Sequence, residues 1–484
     1  MNLKLQEMEG ENLKLHKLLL QPAPTVTRTV AQVTTATATR VLEKVSTATA
    51  TVTSKTPGPS FCVACGPSDE LCSKYGAHNL ARSRVYEGSN ARFRRVIKNA
   101  MEGKPTKIGV IGGSISVGHG LTRFEDKWSI RFSEEWKQFF PNSKTTLVNG
   151  AVPATSSSYM SMCFGEHIDE DVDLVVVELS LNDERFDANI MQYEWLMRGI
   201  LELPKHPAII HLQAIGLGYG RIMIGGDTQA SVSTYYDIPV VSIRNMLVQH
   251  IIKHSELDEY YFGTYPDPPR PDWTHVNLKG HIIMSDLLTA YTQRQICAVE
   301  RQNTVEGTWH DPTHGKLPPA QNLEDVPRLR IFQRYDRETI TPTVKPYCRS
   351  MQTTKGETDL IPIQTNGWKN FIPPQTPDKQ YLMANNIGDV AKFDIEVGPI
   401  GQVRVTFLRS KVYGLGDAWC YVDDNKNGGR RLTSWWIHPS NLAHAEVVAE
   451  GVPPGKHVLT CEVMSETADP DGGHEFRLIA VDAS

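Results

Sequence analysis

Short apolar runs alternate with helical repeats between residues 107 and 296. The apolar runs predict buried strands at 107–113, 145–149, 173–179 and 208–214. Apolar residues at helical spacing predict helices at 127–140, 190–203 and 278–294. Strands that alternate with helices in this way are typical of a doubly wound, mostly parallel, three-layer α/β domain.

The pattern changes after residue 300. Residues 301–340 hold scattered prolines, histidines and charges without a period and are interpreted as a connecting segment. Beyond them, short β-branched and aromatic runs predict strands at 391–397, 402–408, 419–422, 445–448, 457–463 and 476–481. Regularly spaced short strands without helices favour an all-β sandwich or jelly roll. Within this region, Asn427-Gly428 predicts a tight hairpin turn.

The first 60 residues differ from the rest. Residues 1–19 have the spacing of a short amphipathic helix, and residues 25–56 alternate threonine with alanine and valine. Such low-complexity sequence is typical of an extended, O-glycosylated stalk or linker. Acidic residues at the start argue against a signal peptide. The predicted division is a stalk or linker at 1–60, an α/β domain with a cysteine-containing entry at 61–300, the connecting segment at 301–340, and a β-sandwich domain at 341–484.

Composition and charge are those of a folded protein. Of the 484 residues, 40% are hydrophobic and 22% are charged, which excludes a disordered or collagen-like chain. A formal net charge of −5 gives no electrostatic footprint for nucleic acid, so no nucleic-acid partner is expected. No apolar run approaches the ~20 residues of a membrane span, so no transmembrane segment is expected in this chain. Nothing in the sequence indicates the oligomeric state.

Eight cysteines, an even number, suit a set of disulfides. A zinc site of non-standard spacing and a disulfide knot are alternatives for the cluster Cys62, Cys65, Cys72 and His78. The knot is favoured, with its odd thiol paired to Cys163, Cys297 or Cys348. Cys420 and Cys461 lie in predicted strands and are expected to bridge. Disulfides favour an extracellular or secretory-lumen location, although the sequence has no N-glycosylation sequon.

Candidate chemistry lies where a parallel sheet places its sites, at the carboxyl ends of the strands. Gly113 and Ser114 end the first strand, and residues 149–155 and 179–183 end the second and third. Residues 272–277 precede the last helix. Acyl transfer needs a nucleophile, a base, a group that orients the base, and donors for the oxyanion. The four segments offer each of these in turn.

This arrangement resembles the SGNH (GDSL-type) hydrolase superfamily, whose four sequence blocks occur here in order over residues 107–296. The resemblance implies that Ser114 is the nucleophile, His275 the base, and Asp272 the residue that orients the base. It also implies an α/β fold, no metal and no cofactor.

The resemblance further implies an oxyanion site. The backbone N–H groups of Ser114 and Ala154 and the side-chain amide of Asn182 would be its donors, beside Gly113 and Gly150. Two positions depart from the family pattern: Gly113 replaces the aspartate of Gly-Asp-Ser, and Ala154 replaces the second-block glycine. Neither change removes a group that transfers a proton.

Each of these residues has an ordinary interpretation when taken alone. A Gly-Gly-Ser turn also cradles phosphates, Asn182 alone is typical of a turn, and Asp272 alone is typical of a helix cap. Their joint occurrence in order favours the catalytic interpretation. His119, His167 and His281 lack such a context and are predicted to be surface or core residues.

By the resemblance, the protein is a serine esterase that cleaves acyl esters, most naturally acetyl esters of carbohydrate, through an acyl-enzyme. The expected partner is an acylated small molecule or polysaccharide, and Trp419, Trp435 and Trp436 are candidates for stacking on sugar rings. Two alternatives stay open: an O-acyltransferase that acts on glycans in the secretory pathway, and a non-catalytic glycan-binding protein with a vestigial hydrolase domain. The retained site residues argue against the second alternative.

Overall fold

The structure is a computed structural model that describes residues 60–484, except for residues 64, 67–68, 267, 305–325, 357–358, 375, 377–378 and 439. The stalk predicted at 1–60 lies outside the described residues apart from Ser60, and so does most of the predicted connecting segment. The described residues form an α/β part that ends at Thr304 and a β part whose first strand begins at Tyr347.

Six strands form the central sheet of the α/β part. They are β1 (Arg84–Tyr86), β2 (Thr106–Gly112), β3 (Thr145–Asn149), β4 (Leu174–Glu178), β5 (Ala208–Gln213) and β6 (Val240–Ser242). Their order is β1-β6-β5-β4-β2-β3, with β2 to β6 parallel and the edge strand β1 antiparallel. Every residue of β4 and β5 is buried, which explains their mostly apolar sequence. The predicted doubly wound, mostly parallel sheet is confirmed.

The strand order creates one crevice at the carboxyl edge of this sheet. From β2 the chain passes to β3 on one side and then returns to β4 on the other side. In such sheets a crevice opens beyond the two strands between which the direction reverses. Ser114 follows β2 and Asn182 follows β4, so the topology brings these two segments together.

Helices cover both faces of the sheet. They are α1 (Glu70–Tyr75), α2 (Ala77–Ser83), α3 (Ala91–Met101), α4 (Ser114–Val117), α5 (Trp128–Phe139), α6 (Ser157–Cys163), α7 (Asp187–Leu201), α8 (Gly225–Tyr235), α9 (Ile243–Lys253), α10 (Asp258–Tyr261) and α11 (Leu278–Thr304). Side chains of α3, α5 and α11 pack on one face, and side chains of α6 and α7 pack on the other. Among the described residues, no helix is both long and apolar enough to cross a membrane.

Several features of the α/β part differ from the sequence prediction. The pattern does not indicate the three-residue strands β1 and β6, which are too short to show a period. It also misses a hairpin of β7 (Phe262–Pro266) and β8 (Pro269–Val276), whose prolines are atypical of strands. Helix α11 continues past the expected end near residue 294, because Ile296, Cys297 and Val299 extend its buried face.

The β part consists of two packed antiparallel sheets. Its strands are β9 (Tyr347–Ser350), β10 (Gln364–Asn366), β11 (Lys369–Phe371), β12 (Tyr381–Ala384), β13 (Val390–Val397), β14 (Val403–Arg409), β15 (Asp417–Val422), β16 (Arg430–Thr433), β17 (Leu442–Ala449), β18 (Gly455–Val463) and β19 (Phe476–Ala483). One sheet has the order β10-β13-β18-β15-β16; the other has the order β11-β12-β19-β14-β17, with β9 also paired to β19. Apolar side chains between the sheets form a separate core, so the predicted sandwich is confirmed. The predicted tight turn is wrong, because Asn427-Gly428 lies in a 3-10 turn within a longer loop between β15 and β16.

All eight cysteines form disulfides, with Cα–Cα distances of 4.2–5.5 Å. The pairs are Cys62–Cys297, Cys65–Cys72, Cys163–Cys348 and Cys420–Cys461. The expected bridge between Cys420 and Cys461 is confirmed, and it joins the neighbouring strands β15 and β18. Cys62, Cys65 and Cys72, the three cysteines of the zinc alternative, all form disulfides and so have no thiol left to bind zinc. The pair Cys163–Cys348 joins α6 of the α/β part to β9 of the β part.

Candidate active site

Ser114 lies where β2 turns into α4, and two glycines make this turn possible. A Cβ at Gly112 would lie 2.5 Å from Ser116 Oγ, and a Cβ at Gly113 would overlap the side-chain amide of Asn182. Neither position has room for a side chain, so the chain passes directly from a buried strand into the helix. Ser114 is half-buried at this point. Asn182 thus fills the space beside Gly113, where the family pattern has an aspartate.

A chain of hydrogen bonds joins Ser114, His275 and Asp272. Ser114 Oγ lies 2.8 Å from His275 Nε2, and His275 Nδ1 lies 2.7 Å from Asp272 Oδ2. Asp272 Oδ1 also accepts the backbone N–H groups of Thr274 and His275 at 3.0 and 3.3 Å. Burial alone would raise the pKa of Asp272, but its hydrogen bonds from His275 and from these backbone groups lower it. Asp272 is therefore ionised at neutral pH and holds the Nδ1–H of the imidazole.

An irregularity in the hairpin places Asp272 and His275 side by side. In a regular strand, residues three apart point to opposite faces. Here Phe262 of β7 pairs with Val276, but the next residue, Gly263, pairs with Asp272, so residues 273–275 bulge out of the pairing. The bulge allows both side chains to face the crevice. The structure thus brings together the three residues that the sequence offered as a triad.

Three N–H donors lie in the segments around the hydroxyl of Ser114. Within the described residues, the backbone N–H groups of Ser114 and Ala154 and the side-chain NH₂ of Asn182 have no hydrogen-bond acceptor. Ala154 has φ = +61°, a left-handed conformation that costs an L-residue about 1–2 kcal/mol. Glycine, the family residue here, adopts this conformation without that cost. The alanine therefore retains the backbone geometry of the second block.

Gly113 and Gly150 do not offer their own N–H groups to the site. Gly113 N–H donates to the backbone carbonyl of Glu178 at 3.3 Å, and Gly150 N–H donates to that of Val110 at 3.0 Å. Gly150 is buried, and a Cβ there would overlap the carbonyl oxygen of His167. These two glycines serve the packing of the loops rather than the donor set.

His119 lies beside the site, which sequence reasoning missed. Its ring centroid is 5.3 Å from that of His275, and its backbone N–H donates to the carbonyl of Ser114 at 3.0 Å. The short helix α4 ends at Val117, so His119 turns back over the crevice instead of continuing along a helix. The only sequence signal that His119 lies near the site was its position five residues after Ser114. His167 and His281 are buried, and burial lowers the pKa of each to about 3, as fits core residues.

Two solved structures match most of the chain. Both are crystal structures of a two-domain esterase (CEX) active on acetylated mannans, one of them co-crystallized with mannopentaose. The alignments cover 84% of this chain and 97% and 98% of the esterase chains, with TM-scores of 0.59 and 0.60 and identities of 18% and 17%. This chain therefore shares the two-domain fold of that esterase. No protein-family model and no curated protein matches the sequence.

The buried carboxyl of Asp183 connects two of the site loops. It accepts hydrogen bonds from the backbone N–H and the hydroxyl of Ser157, at 2.7 and 2.5 Å, and from Gln229 Nε2 at 2.6 Å. Ser157 begins α6, just after the loop of Ala154. Burial raises the pKa of Asp183 to about 6, although these hydrogen bonds favour its ionised form. Asp183 therefore fixes the loop of Asn182 relative to that of Ala154.

A second buried carboxyl, Glu178, lies beneath the turn of Ser114. Ser116 Oγ donates to Glu178 Oε2 at 2.8 Å and accepts from Trp128 Nε1 at 3.2 Å. Among the described residues, Glu178 Oε1 has no partner. Burial raises the pKa of Glu178 to about 8, although hydrogen bonds from Ser116 and Gly113 pull it down. Glu178 is thus mostly protonated at neutral pH in the folded protein.

We expect Glu178→Gln to flatten the pH dependence of stability. Between about pH 4.5, the ordinary value, and about pH 8, the folded protein binds a proton that the unfolded chain has released. The free energy of unfolding therefore falls as pH rises through this window. Glutamine cannot ionise, so its advantage over wild type should grow from pH 5 to pH 8.5 in urea unfolding. Glu134→Gln, an exposed change on α5, is the control, and an unchanged slope in Glu178→Gln would contradict the expectation.

Proposed function

We propose that this protein is a serine esterase that removes acetyl groups from a polysaccharide. One observation carries the proposal: the unbroken chain of hydrogen bonds from Ser114 through His275 to Asp272, beside N–H donors that lack an acceptor. A serine hydroxyl is a weak nucleophile unless a base lies within hydrogen-bond reach, and His275 supplies that base. This complete arrangement argues against a purely glycan-binding role.

In the first half of the proposed reaction, Ser114 Oγ bonds to the acetyl carbonyl carbon while His275 Nε2 accepts the hydroxyl proton. The carbonyl oxygen becomes an oxyanion, which the N–H groups of Ser114 and Ala154 and the amide of Asn182 stabilise. When the tetrahedral intermediate collapses, the bond to the sugar oxygen breaks. His275 gives its proton to this oxygen, and Ser114 retains the acetyl group.

In the second half, water takes the place of the sugar. His275 accepts a proton from the water as its oxygen bonds to the acetyl carbon. Acetate then leaves, and the proton returns to Ser114 Oγ. Asp272, ionised at neutral pH, stabilises the positively charged imidazole in both halves. A sugar hydroxyl in place of water would transfer the acetyl group through the same residues, which is the transferase alternative.

Two observations support a polysaccharide substrate. Two solved structures that resemble this chain over most of its length are of an esterase active on acetylated mannans. Large apolar side chains are also exposed on segments beyond the carboxyl ends of strands, namely Phe186 after β4 and Ile222 and Met223 after β5. Trp273, next to Asp272, is exposed as well. Exposed apolar side chains, above all the flat rings of Phe186 and Trp273, suit the faces of sugar rings, so the polymer would lie across this edge.

The tryptophans of the β part are less available for sugar binding than the sequence suggested. Trp419, Trp435 and Trp436 are all half-buried. Trp419 and Trp436 donate their indole N–H groups to the backbone carbonyls of Lys426 and Ser440, both at 2.9 Å. Trp273 also donates its indole N–H, to Asp258, but its side chain is exposed and it adjoins Asp272, so Trp273 is the better candidate.

We also propose that the protein works in an oxidising compartment, outside the cell or in the lumen of the secretory pathway. Disulfides persist in such compartments and are rare in the cytosol. All eight cysteines of this chain are paired, and two of the pairs join segments far apart in sequence, Cys62–Cys297 and Cys163–Cys348. Protein made with and without an oxidising folding environment should differ in yield and in the number of free thiols.

The test of the esterase proposal is acetate release from acetylated mannan and acetylated xylan, with labelling of the same preparation by a fluorophosphonate probe. We expect acetate release and a single labelled peptide that contains Ser114. Hydrolysis of p-nitrophenyl acetate without acetate release from either polymer would contradict the polysaccharide substrate. Labelling of another serine would contradict the site. Acetyl groups recovered on an added oligosaccharide would favour the transferase.

We expect Asn182→Ala to lower kcat by about 10²–10³-fold, because it removes one oxyanion donor. KM should change little, since the donor acts on charge that develops only in the transition state. The fluorophosphonate probe should still label Ser114, although more slowly. Asn189→Ala, an amide change at the start of α7, is the control on p-nitrophenyl acetate. A variant at Asn182 with wild-type kcat would exclude its side chain from the oxyanion site.

A further inference from the structure

The β part contacts the site at the loop that carries Ala154. The carbonyl oxygen of Ala154 accepts a hydrogen bond from the backbone N–H of Ala443, 3.0 Å away, in strand β17. β17 is the edge strand of its sheet and pairs with β14 on its other side. Because the N–H of Ala443 bonds to Ala154, it takes no part in that pairing. The outer side of β17 is therefore bonded to the oxyanion loop.

The conformation of Ala154 needs such support. A non-glycine residue at φ = +61° is in a sparsely populated region and stays there only when its surroundings hold it. A return to negative φ would re-aim the peptide groups on both sides of Ala154, including the N–H that the proposed reaction uses. The bond from Ala443 fixes the peptide group that follows Ala154.

Helix α6, which begins three residues after Ala154, is held by the β part as well. Its residues are almost all buried. It makes three links to the β part: the disulfide Cys163–Cys348, the 2.8 Å hydrogen bond between Tyr159 Oη and Ser350 Oγ, and the 3.1 Å hydrogen bond from Arg404 Nη1 to Ser161 Oγ. The loop of Ala154 is therefore tied to the β part in two ways, directly at Ala154 and through the helix that follows it.

Arg404 anchors these contacts within the interface. It is 1% exposed and forms a 2.6 Å ion pair with Asp482, which is completely buried. It also donates to Gln192 Oε1 of α7 at 2.6 Å. A buried ion pair tolerates the loss of one partner poorly. Arg404 therefore makes the interface between α6, α7 and the β part a fixed one, but it is a poor residue for a functional test.

We propose that the β part positions the oxyanion donor of Ala154, and that Ala443 is the positioning residue. The β part is then a component of the active-site geometry, and not only a module beside it. This inference rests on the proposed esterase function. Since the oxyanion exists only along the reaction path, loss of this positioning should appear in kcat rather than in KM.

The direct test is Ala443→Pro, with Ala445→Pro as its matched control. Proline removes the backbone N–H and is tolerated on edge strands. Ala445 lies two residues further along the same edge, and its N–H has no acceptor among the described residues. We expect kcat of Ala443→Pro to fall about tenfold with KM within about twofold of wild type, which corresponds to about 1.4 kcal/mol in the transition state. The control should match wild type.

A second pair of variants tests the same inference independently, in case Ala443→Pro does not fold. Removal of the disulfide between α6 and β9, by Cys163→Ala with Cys348→Ala, should also lower kcat, by about threefold on the same scale. Removal of the disulfide within the β part, by Cys420→Ala with Cys461→Ala, should not. The rates are expressed per active site titrated by the fluorophosphonate probe, so that unfolded protein does not count.

Hydrogen–deuterium exchange separates this inference from the esterase proposal. We expect faster exchange in the peptide covering residues 150–158 in Ala443→Pro and in the Cys163/Cys348 variant than in their controls. If exchange is faster in these variants but the wild-type protein has no esterase activity, the inference that the β part positions the loop stands, and only the proposed esterase function is overturned. Unchanged exchange and unchanged kcat in both variants of an active enzyme would overturn the positioning and leave the function standing.

Discussion

Ser114→Ala is expected to abolish ester hydrolysis, with kcat lower by about 10⁶-fold, the size of loss known for removal of a triad nucleophile. The physical reason is that no other hydroxyl can replace it. Ser116, two residues on, is buried and is hydrogen-bonded to Glu178 and Trp128 rather than to His275. The methyl side chain of the variant fits the half-buried position, so the fold should be retained.

The measurements are kcat on p-nitrophenyl acetate, acetate release from acetylated mannan, and labelling by the fluorophosphonate probe. Ser114→Ala should fail in all three and keep the melting temperature of wild type. Ser116→Ala is the informative neighbour: it should lose stability, because Glu178 and Trp128 lose their partner, and yet still be labelled at Ser114. Wild-type turnover by Ser114→Ala on both substrates would exclude the proposed nucleophile.

The elements that carry the proposed catalytic residues were predictable because their sequence patterns are local. β2 and β4 are short and mostly apolar because both faces of a central parallel strand are buried, and Ser114 and Asn182 follow these strands within a few residues. The crevice beyond them follows from the order of the strands, which the alternation of strands and helices already favours. The sequence pattern placed the candidate serine and asparagine after the ends of strands, and the resemblance to the SGNH superfamily implied that they belong to one site.

Other parts of the site depend on contacts that leave no local trace in the sequence. The bulge at residues 273–275 lies in a proline-containing strand without alternation, so the shared orientation of Asp272 and His275 could not be read from spacing. The bond from Ala443 to Ala154 joins two backbone groups, and backbone groups are the same for any residue. The pairing of Cys62 with Cys297 was one of several alternatives until α11 proved to extend to Thr304.

The same distinction explains why the place of His119 beside His275 was not predicted, although His119 is exposed, as expected of a surface residue. Its neighbours in sequence are glycines, and nothing in that composition indicates a site. Its position against the His275 ring arises because α4 is only four residues long and Gly118, at φ = +103°, reverses the chain. A glycine in the left-handed conformation can end a helix early, and the direction of the side chains after it then cannot be predicted from the sequence pattern.

Asp272→Asn is expected to lower kcat by about 10⁴-fold while the fold is retained. In wild type, Asp272 Oδ2 accepts the Nδ1–H of His275, which leaves Nε2 free to accept the proton of Ser114. In the variant, the single oxygen of asparagine can still accept the backbone N–H groups of Thr274 and His275. Its NH₂ group then faces Nδ1 and donates to it, so the imidazole carries its proton on Nε2.

With a proton on Nε2, His275 cannot accept the proton of Ser114, so the base is present but in the wrong tautomer. The ¹⁵N chemical shifts of the His275 ring report this change directly, and kcat on p-nitrophenyl acetate reports its consequence. Asp258→Asn is the matched control. Asp258 accepts a hydrogen bond from the indole N–H of Trp273, the residue after Asp272, and does not contact His275. Retention of a tenth or more of wild-type kcat in Asp272→Asn would show that another group orients the imidazole. If kcat of Asp272→Asn falls strongly while His275 keeps its wild-type tautomer, Asp272 acts only by stabilising the positive charge on the imidazole.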